Sequence, residues 1–483
     1  MGYVNRILSE FCATTGIAYE TSASAAHIGE GETLPSRLAT VTELATGAVA
    51  AAAASAAFFA RARGASPVVT RWEVDPRQVA ASFRADQLLR LDGRAFPGFA
   101  ELSGYFRTAD GWLRTHANYP HHRLRLLAAL ALPEYADRAA LVARLGLLDA
   151  VEAEELVRAH QGIAAAVRTP EQWAAHPQSV AAATLPLVAI EALDDAPAEP
   201  RAYRGKLRDP ALPMAGLRVL DLTRVIAGPV ATRTLALLGA DVLRVDDPHL
   251  PELAPQHLDN GMGKRSTLLD LRDPGDRGTF DALLEDADVV VTGYRPRALD
   301  GFGLAPRELA ARRPGLVVAT LDAWGPTGPW GGLRGFDSIV QAATGIAALT
   351  SPDGEKPGAL PAQALDHSSG YLLAAGVLIA LNRQVAEGGT WHTHTHLART
   401  AQALLSLSPR PDPATVPYTP HDQPDLDDCL REQATAGGLL RYPAPAFGMP
   451  ARPFDYPSVG GVWGADAAAW PDGARAHAGA PGS

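Results

Sequence analysis

From Gly216 onward, short apolar runs alternate with stretches of helical period. LRVLDL, DVLRVD, STLLDL, DVVVTGY and GLVVATLDA read as strands, with helical ATRTLALLG, DRGTFDALLEDA and APRELAARR between them. That order predicts parallel βαβ units and a sheet covered on both faces. Such a unit binds ligands outside the carboxyl ends of its strands. Helical patterns at 337–349 and 368–385, a strand TWHTHTHL and a helix ARTAQALLSL complete it. The first 200 residues read differently. They predict a helix at 41–63, a strand at 111–117 closing on the turn Asn118-Tyr119-Pro120, and helices at 122–130, 138–145 and 151–167.

Residues 194–213 hold Pro197, Pro200, Pro210 and Pro213 with little periodicity, which is linker chemistry. The predicted organisation is a smaller helix-rich domain over 1–200, a linker over 201–215, an α/β unit over 216–408 and an extended tail over 409–483. The fold class is therefore α/β, with a Rossmann-like parallel sheet and a second, smaller α+β domain.

Composition narrows the function. A chain of 483 residues with 47% hydrophobic and 20% charged residues fits an ordinary globular protein of more than one unit. Its net charge of −10 lacks the basic surface that nucleic-acid binding needs, so no nucleic-acid partner is expected. Cys12 and Cys429 are the only cysteines, which leaves neither a disulfide framework nor a cysteine-rich zinc site and points to a cytoplasmic setting. The start, MGYVNRILSEF, has no basic segment followed by an apolar core, so no signal peptide is expected. The alanine-rich run 45–60 is shorter than the ~20 residues of a membrane helix, so no membrane association is expected either.

Two segments could carry chemistry. The first strand leads into Val225-Ile226-Ala227-Gly228-Pro229, with small residues that let a ligand approach the backbone and a helix start that attracts anions. The plainer reading is a tight strand-to-helix corner. No GxGxxG, GxxxxGK[ST] or GxSxG occurs in this part. The second segment is Gln363-Ala364-Leu365-Asp366-His367-Ser368-Ser369-Gly370. Asp366, just ahead of an apolar helix, reads either as an N-cap or as a partly desolvated carboxylate able to attack a thioester. His392, His394 and His396 share one face of a strand, but three ligands spread over roughly 13 Å suit a single ion poorly. His116, His121 and His122 lack a completing cluster. No metal is expected.

Five ordered blocks resemble one family, the class III coenzyme A transferases that include formyl-CoA and carnitine CoA-transferases. They are GLRVLDLTRVIAGPVATRTLALLGADVLRVD, GKRSTLLDLR, DADVVVTGYRPRALDGFGL, GFDSIVQAATGIAALTS and ALDHSSGYLLAAGVLIALNRQ, between Gly216 and Gln384. The resemblance implies that Asp366 is the catalytic aspartate. In such enzymes it attacks an acyl-CoA to form a mixed anhydride, then an aspartyl-CoA thioester, before an acceptor carboxylic acid takes the CoA. It further implies CoA contacts at Arg224, Ile226, Ala227, Leu269, Arg272, Gly293, Tyr294, Arg295 and Arg334, and a homodimer. Asp247 and Gly301 stand where some members have arginines, and Arg295 or Arg297 could compensate. FRTADGWLRTHANYPHHRLRLL and TPEQWAAHPQSVAAATLPLVAIEAL resemble the family's small domain, and LLRYPAPAFGMPARPFDYPSVG its returning segment. This order resembles a circular permutation.

Two other readings stay open. A 2-methylacyl-CoA racemase of the same superfamily would need a histidine where this chain has Phe336 in Gly335-Phe336-Asp337. A catalytically weak CoA-binding subunit would keep the fold without the exchange.

Overall fold

The computed structural model describes residues 4–38, 40–66, 71–193, 199–203, 207–407, 424–450 and 452–471. Parts of the proline-rich stretch 194–213 (194–198 and 204–206), residue 408 and parts of the expected tail (409–423, 451 and 472–483) lie outside the described residues.

A seven-stranded sheet organises the large unit. Its strands in chain order are β1 (Ala189–Ala192), β2 (Arg218–Leu222), β3 (Asp241–Asp246), β4 (Arg265–Leu268), β5 (Val289–Thr292), β6 (Val317–Asp322) and β7 (Trp391–His396). Their spatial order is β4-β3-β2-β5-β6-β7-β1, parallel throughout except for β1, which pairs antiparallel at the edge. Side chains alternate faces along each strand. Val219, Val289, Val291, Val317 and Ala319 therefore enter one apolar layer, and Leu220, Val290 and Val318 the opposite one. Both faces are covered, as parallel sheets require.

Five helices frame the site: α1 (Val41–Ala62), α2 (Pro120–Ala129), α3 (Ala227–Leu237), α4 (Asp337–Ala343) and α5 (Ala364–Glu387). α1 and α5 are long and apolar enough to cross a membrane by composition, yet both are buried inside the protein and pack on each other. The alanines of α1 allow that close approach. Gly370 does the same between α5 and α3, since a Cβ there would stand 2.4 Å from the Ala227 carbonyl oxygen and 2.8 Å from Val230 Cβ. Gly370→Ala is expected to destabilise the protein. Overpacking against backbone costs about 1–3 kcal/mol and outweighs the ~1 kcal/mol that alanine gains as a helix former. Gly278→Ala, where a Cβ meets nothing within 4 Å, is the control and should be neutral or stabilising in the same thermal melt.

Residues 1–200 do not form one separate body. The small unit is a three-stranded antiparallel sheet of Gly104–Arg107, Trp112–Thr115 and Ala164–Ala166, with α2 and two further helices over a core of Leu113, Leu126, Leu141 and Val157. α1 and β1, by contrast, join the large unit. The described tail contributes Leu430–Thr435 and Gly438–Pro443 to a sheet with Arg90–Leu91 and Arg94–Ala95, then runs back over β3 and β4. The helix expected over 151–167 stops at Ala159, and Ala164–Ala166 becomes a strand. Pairing with Trp112–Thr115 overrides alanine's helical preference there. The helix expected over 337–349 breaks at Gly345, whose φ of +88° no helix accommodates.

Candidate active site

The sheet order reverses between β2 and β5, where chains leave their strands in opposite directions and open a crevice. The loop after β2 is anchored from beneath. Asp221 on β2 accepts hydrogen bonds from Thr223 N (2.9 Å), Thr223 Oγ1 (2.5 Å) and Thr232 Oγ1 (2.6 Å). Lys264 Nζ donates to the same carboxylate at 2.9 Å and to the Pro229 carbonyl at 3.0 Å. Val225 takes a left-handed φ of +72°, which costs a non-glycine residue about 1–2 kcal/mol, and the Asn260 side-chain amide donates to its carbonyl. The strained turn presents Ile226 and Ala227 to the crevice.

Two cavities meet there. The first, about 400 Å³, is lined by Arg224, Ile226 and Ala227 after β2 and by Gly293, Tyr294 and Arg295 after β5. Arg334 closes it on one side, and His121, His122 and Arg125 of α2 reach in from the small unit. The second, about 320 Å³, is lined by Phe96, Phe99, His116, Leu253 and Pro255, with Asp86 and Asp259 and, among the described residues, no lysine or arginine in its wall. Asp366, Val225, Ile226 and Phe336 border both.

Asp366 is 5% exposed. It is not the N-cap that its position ahead of an apolar run implied. The helix starts at Ala364, so Asp366 is the third helical residue, and the cap is supplied from another helix. Asp337 of α4 accepts hydrogen bonds from Leu365 N at 2.8 Å and Asp366 N at 3.0 Å, and its other oxygen accepts from Gln341. With the helix end satisfied by Asp337, the Asp366 carboxylate is left to the cavities. Burial, then the neighbouring Asp337 carboxylate, push Asp366 well above the usual range. Asp337 itself is pushed up to about 6, chiefly by burial. A desolvated carboxylate is a stronger nucleophile once ionised, and small neighbours leave room for an approaching acyl carbon.

The first cavity is cationic. Arg224 is held by Glu252, 3.5 Å from its Nε, by the Pro251 carbonyl at 2.9 Å, and over the Tyr119 ring at 5.0 Å. Glu252 also takes Arg244 at 2.7 Å. Burial, with the charges of Arg125 and Arg295, holds Arg334 below its ordinary value. Three mutually repelling guanidinium groups around one opening are relieved by an anion, and their forks suit phosphate oxygens.

Seven of the nine cofactor residues expected from sequence line this cavity: Arg224, Ile226, Ala227, Gly293, Tyr294, Arg295 and Arg334. Leu269 and Arg272 do not. Leu269 is buried in the apolar layer beneath β3 and β4, and Arg272 lies exposed, tied to Asp270 at 2.7 Å and Asp247 at 3.2 Å. The Asp247 that replaces an arginine thus has a local partner. Sequence reading missed the roles of Asp337, of Tyr119 and of the α2 residues. It also missed His116, whose ring stacks on Phe336 at 3.9 Å. Burial pushes His116 down to about 3, and its Nδ1 has no hydrogen-bond partner among the described residues. Asp337 and Phe336 were visible in one short run, and the histidines in another. Only packing brings them together.

Residues 214–420 match CoA-transferase family III. A probable fatty acyl-CoA transferase of Mycobacterium tuberculosis is 37% identical over 194 residues, covering 37% of this chain and 49% of that protein. An acetyl-CoA:oxalate CoA-transferase of Acetobacter aceti is 33% identical over 208 residues, covering 41% of this chain and 54% of the relative. The chain thus spans about half the length of these curated relatives. A crystal structure of a hypothetical protein from Mycobacterium tuberculosis is 35% identical, with a TM-score of 0.38 over 41% of this chain and 58% of that one.

Proposed function

We propose that this protein, whose residues 214–420 match CoA-transferase family III, moves coenzyme A from an acyl-CoA donor to a carboxylic acid acceptor, with Asp366 as the covalent nucleophile. The observation that carries the reading is a buried, separately capped carboxylate at the wall between a cationic cavity and a second one that holds Phe96, Phe99 and Phe336. The phosphates of CoA fit the Arg224, Arg295 and Arg334 side, with pantetheine running past Ile226 and Ala227 to Asp366.

The exchange balances as follows. An Asp366 oxygen adds to the thioester carbonyl, and the C–S bond breaks to leave an acyl–aspartyl anhydride and CoA thiolate. The thiolate attacks the aspartyl carbonyl and releases the donor acid as its carboxylate. The acceptor carboxylate then attacks the aspartyl-CoA thioester, expelling thiolate and forming a second anhydride. The thiolate takes the acyl group and frees Asp366. Each step replaces one activated carboxyl derivative by another, so no redox partner is needed.

The second cavity bears on substrate class. Its described wall holds Asp86 and Asp259 and no lysine or arginine, so a second carboxylate meets like charge there without a cation, while Phe96, Phe99 and Phe336 favour an apolar acyl chain. Monocarboxylic acids should therefore exchange better than dicarboxylic ones. The permuted order of parts belongs to the same proposal, since the first 200 residues supply Tyr119, His121 and His122 to the first cavity. The racemase reading gains a candidate second base in His116, but an imidazole held at about 3 accepts an α-proton poorly near neutral pH. The transferase reading is favoured.

The test is incubation with a panel of acyl-CoAs and free acids, followed by intact-mass analysis and an exchange assay. A covalent adduct that hydroxylamine removes, together with exchange, supports the proposal. No adduct and no exchange with any of the panel rejects it. Arg334→Ala is expected to raise KM for acyl-CoA roughly tenfold or more, the worth of one charged hydrogen bond, with kcat little changed.

A further inference from the structure

Outside the cavities, one group of side chains converges without a role. On the sheet edge β1 runs antiparallel to β7, and Glu191 stands directly across from His392. One ligand atom from each of Glu191, His392 and His394 lies within 4.8 Å of the other two. Glu191 Oε1 is 3.1 Å from His392 Nδ1 and 3.9 Å from His394 Nε2. We propose that these three residues form a binding site for a transition-metal ion of the zinc type, with a fourth coordination position open to solvent.

Three features argue for it. First, the geometry needs little adjustment. A tetrahedral ion with bonds of ~2.1 Å sets its ligands roughly 3.4 Å apart, within the span observed, and the Glu191 side chain, 58% exposed, is free to rotate inward. Second, the other nitrogen of each ring already has a partner. His392 Nε2 is 2.9 Å from Thr320 Oγ1, and His394 Nδ1 is 3.0 Å from His396 Nε2. Partners of this kind fix ring orientation and tautomer, leaving His392 Nδ1 and His394 Nε2 to present lone pairs to the ion. Third, two imidazoles and one carboxylate select zinc, copper, nickel or cobalt over calcium or magnesium, which prefer oxygen.

The strand spacing that made three histidines on one strand awkward is avoided. Two of them and a cross-strand carboxylate make the set, while His396 stands behind as support. His396 Nδ1 in turn lies 3.0 Å from Asp322 Oδ1, and Asp322 lines the first cavity.

The test uses the full chain, free of any affinity tag and stripped by chelator, titrated with Zn²⁺ by calorimetry and with Co²⁺ by visible absorption. It reads binding alone and is independent of any CoA exchange. One Zn²⁺ per chain is expected, with a rise in melting temperature and a tetrahedral Co²⁺ spectrum. Glu191→Gln and His392→Gln should each weaken Zn²⁺ by more than tenfold, and His396→Gln by about 10–100-fold. Glu191 is exposed, so its variant keeps the fold, and melting curves in chelator check the histidine variants. Absence of Zn²⁺ binding, or binding unchanged by both Glu191→Gln and a His392→Gln/His394→Gln double variant, overturns the proposal.

Discussion

Asp366→Asn should abolish CoA exchange, by at least about 10³-fold, and leave a protein more stable than the parent. Both effects come from the same burial. Asp366 is 5% exposed and sits beside Asp337, so ionising it sets two buried carboxylates against each other. The amide keeps the shape and removes the charge, which is expected to stabilise by about 0.5–2 kcal/mol, the usual scale when a strained functional group is relieved. The sign with pH follows. A carboxyl group whose folded pKa is raised above its unfolded value of ~3.9 keeps its proton longer in the native state, so stability falls as pH rises through that interval. For Asp337 the interval runs up to about 6, and Asp366 extends it higher. Thermal melts from pH 4 upward should therefore show the parent losing stability, and the variant losing less because the group at 366 no longer ionises beside Asp337. Exchange in the parent should rise with pH over the same range as Asp366 ionises. A variant that is both inactive and less stable at neutral pH would contradict this account.

The largest loss of stability is expected at Lys264. Its ammonium is fully buried between Asp221 Oδ2 at 2.9 Å, Thr232 Oγ1 at 2.6 Å and the Pro229 carbonyl at 3.0 Å. Lys264→Met leaves the Asp221 carboxylate buried without its cation, which costs about 3–5 kcal/mol. The damage is local to the turn that carries Arg224, Ile226 and Ala227, so whatever protein folds should also bind acyl-CoA more weakly. Adding Asp221→Asn removes the stranded charge and should restore part of the loss, so the double variant is less destabilised than the sum of the singles in urea unfolding. Arg272 gives the contrast. Its pairs with Asp270 and Asp247 lie on the surface, with the arginine side chain 57% exposed, and Arg272→Ala should leave the urea midpoint almost unchanged.

The local rhythm of the chain determined the parallel unit, because a strand of four to six residues and the helix after it are each written in consecutive residues. β2, β3, β5, β6 and β7 all lie inside runs legible as strands, and the corner at Ile226–Ala227 lies at the ligand-binding end that such sheets share. The block around Asp366 was legible for the same reason, as a carboxylate beside small residues and an apolar helix. What Asp366 does at that place was not legible. Whether it caps its helix or faces a ligand depends on Asp337, which is 29 residues away and on another helix. The strand at Ala164–Ala166, the union of α1 with α5, the stacking of His116 on Phe336 and the meeting of Glu191 with His392 and His394 are decisions of the same kind. Periodicity reports which face of an element is apolar. It carries no information on which distant element covers that face, and the chemistry here arises where such elements meet.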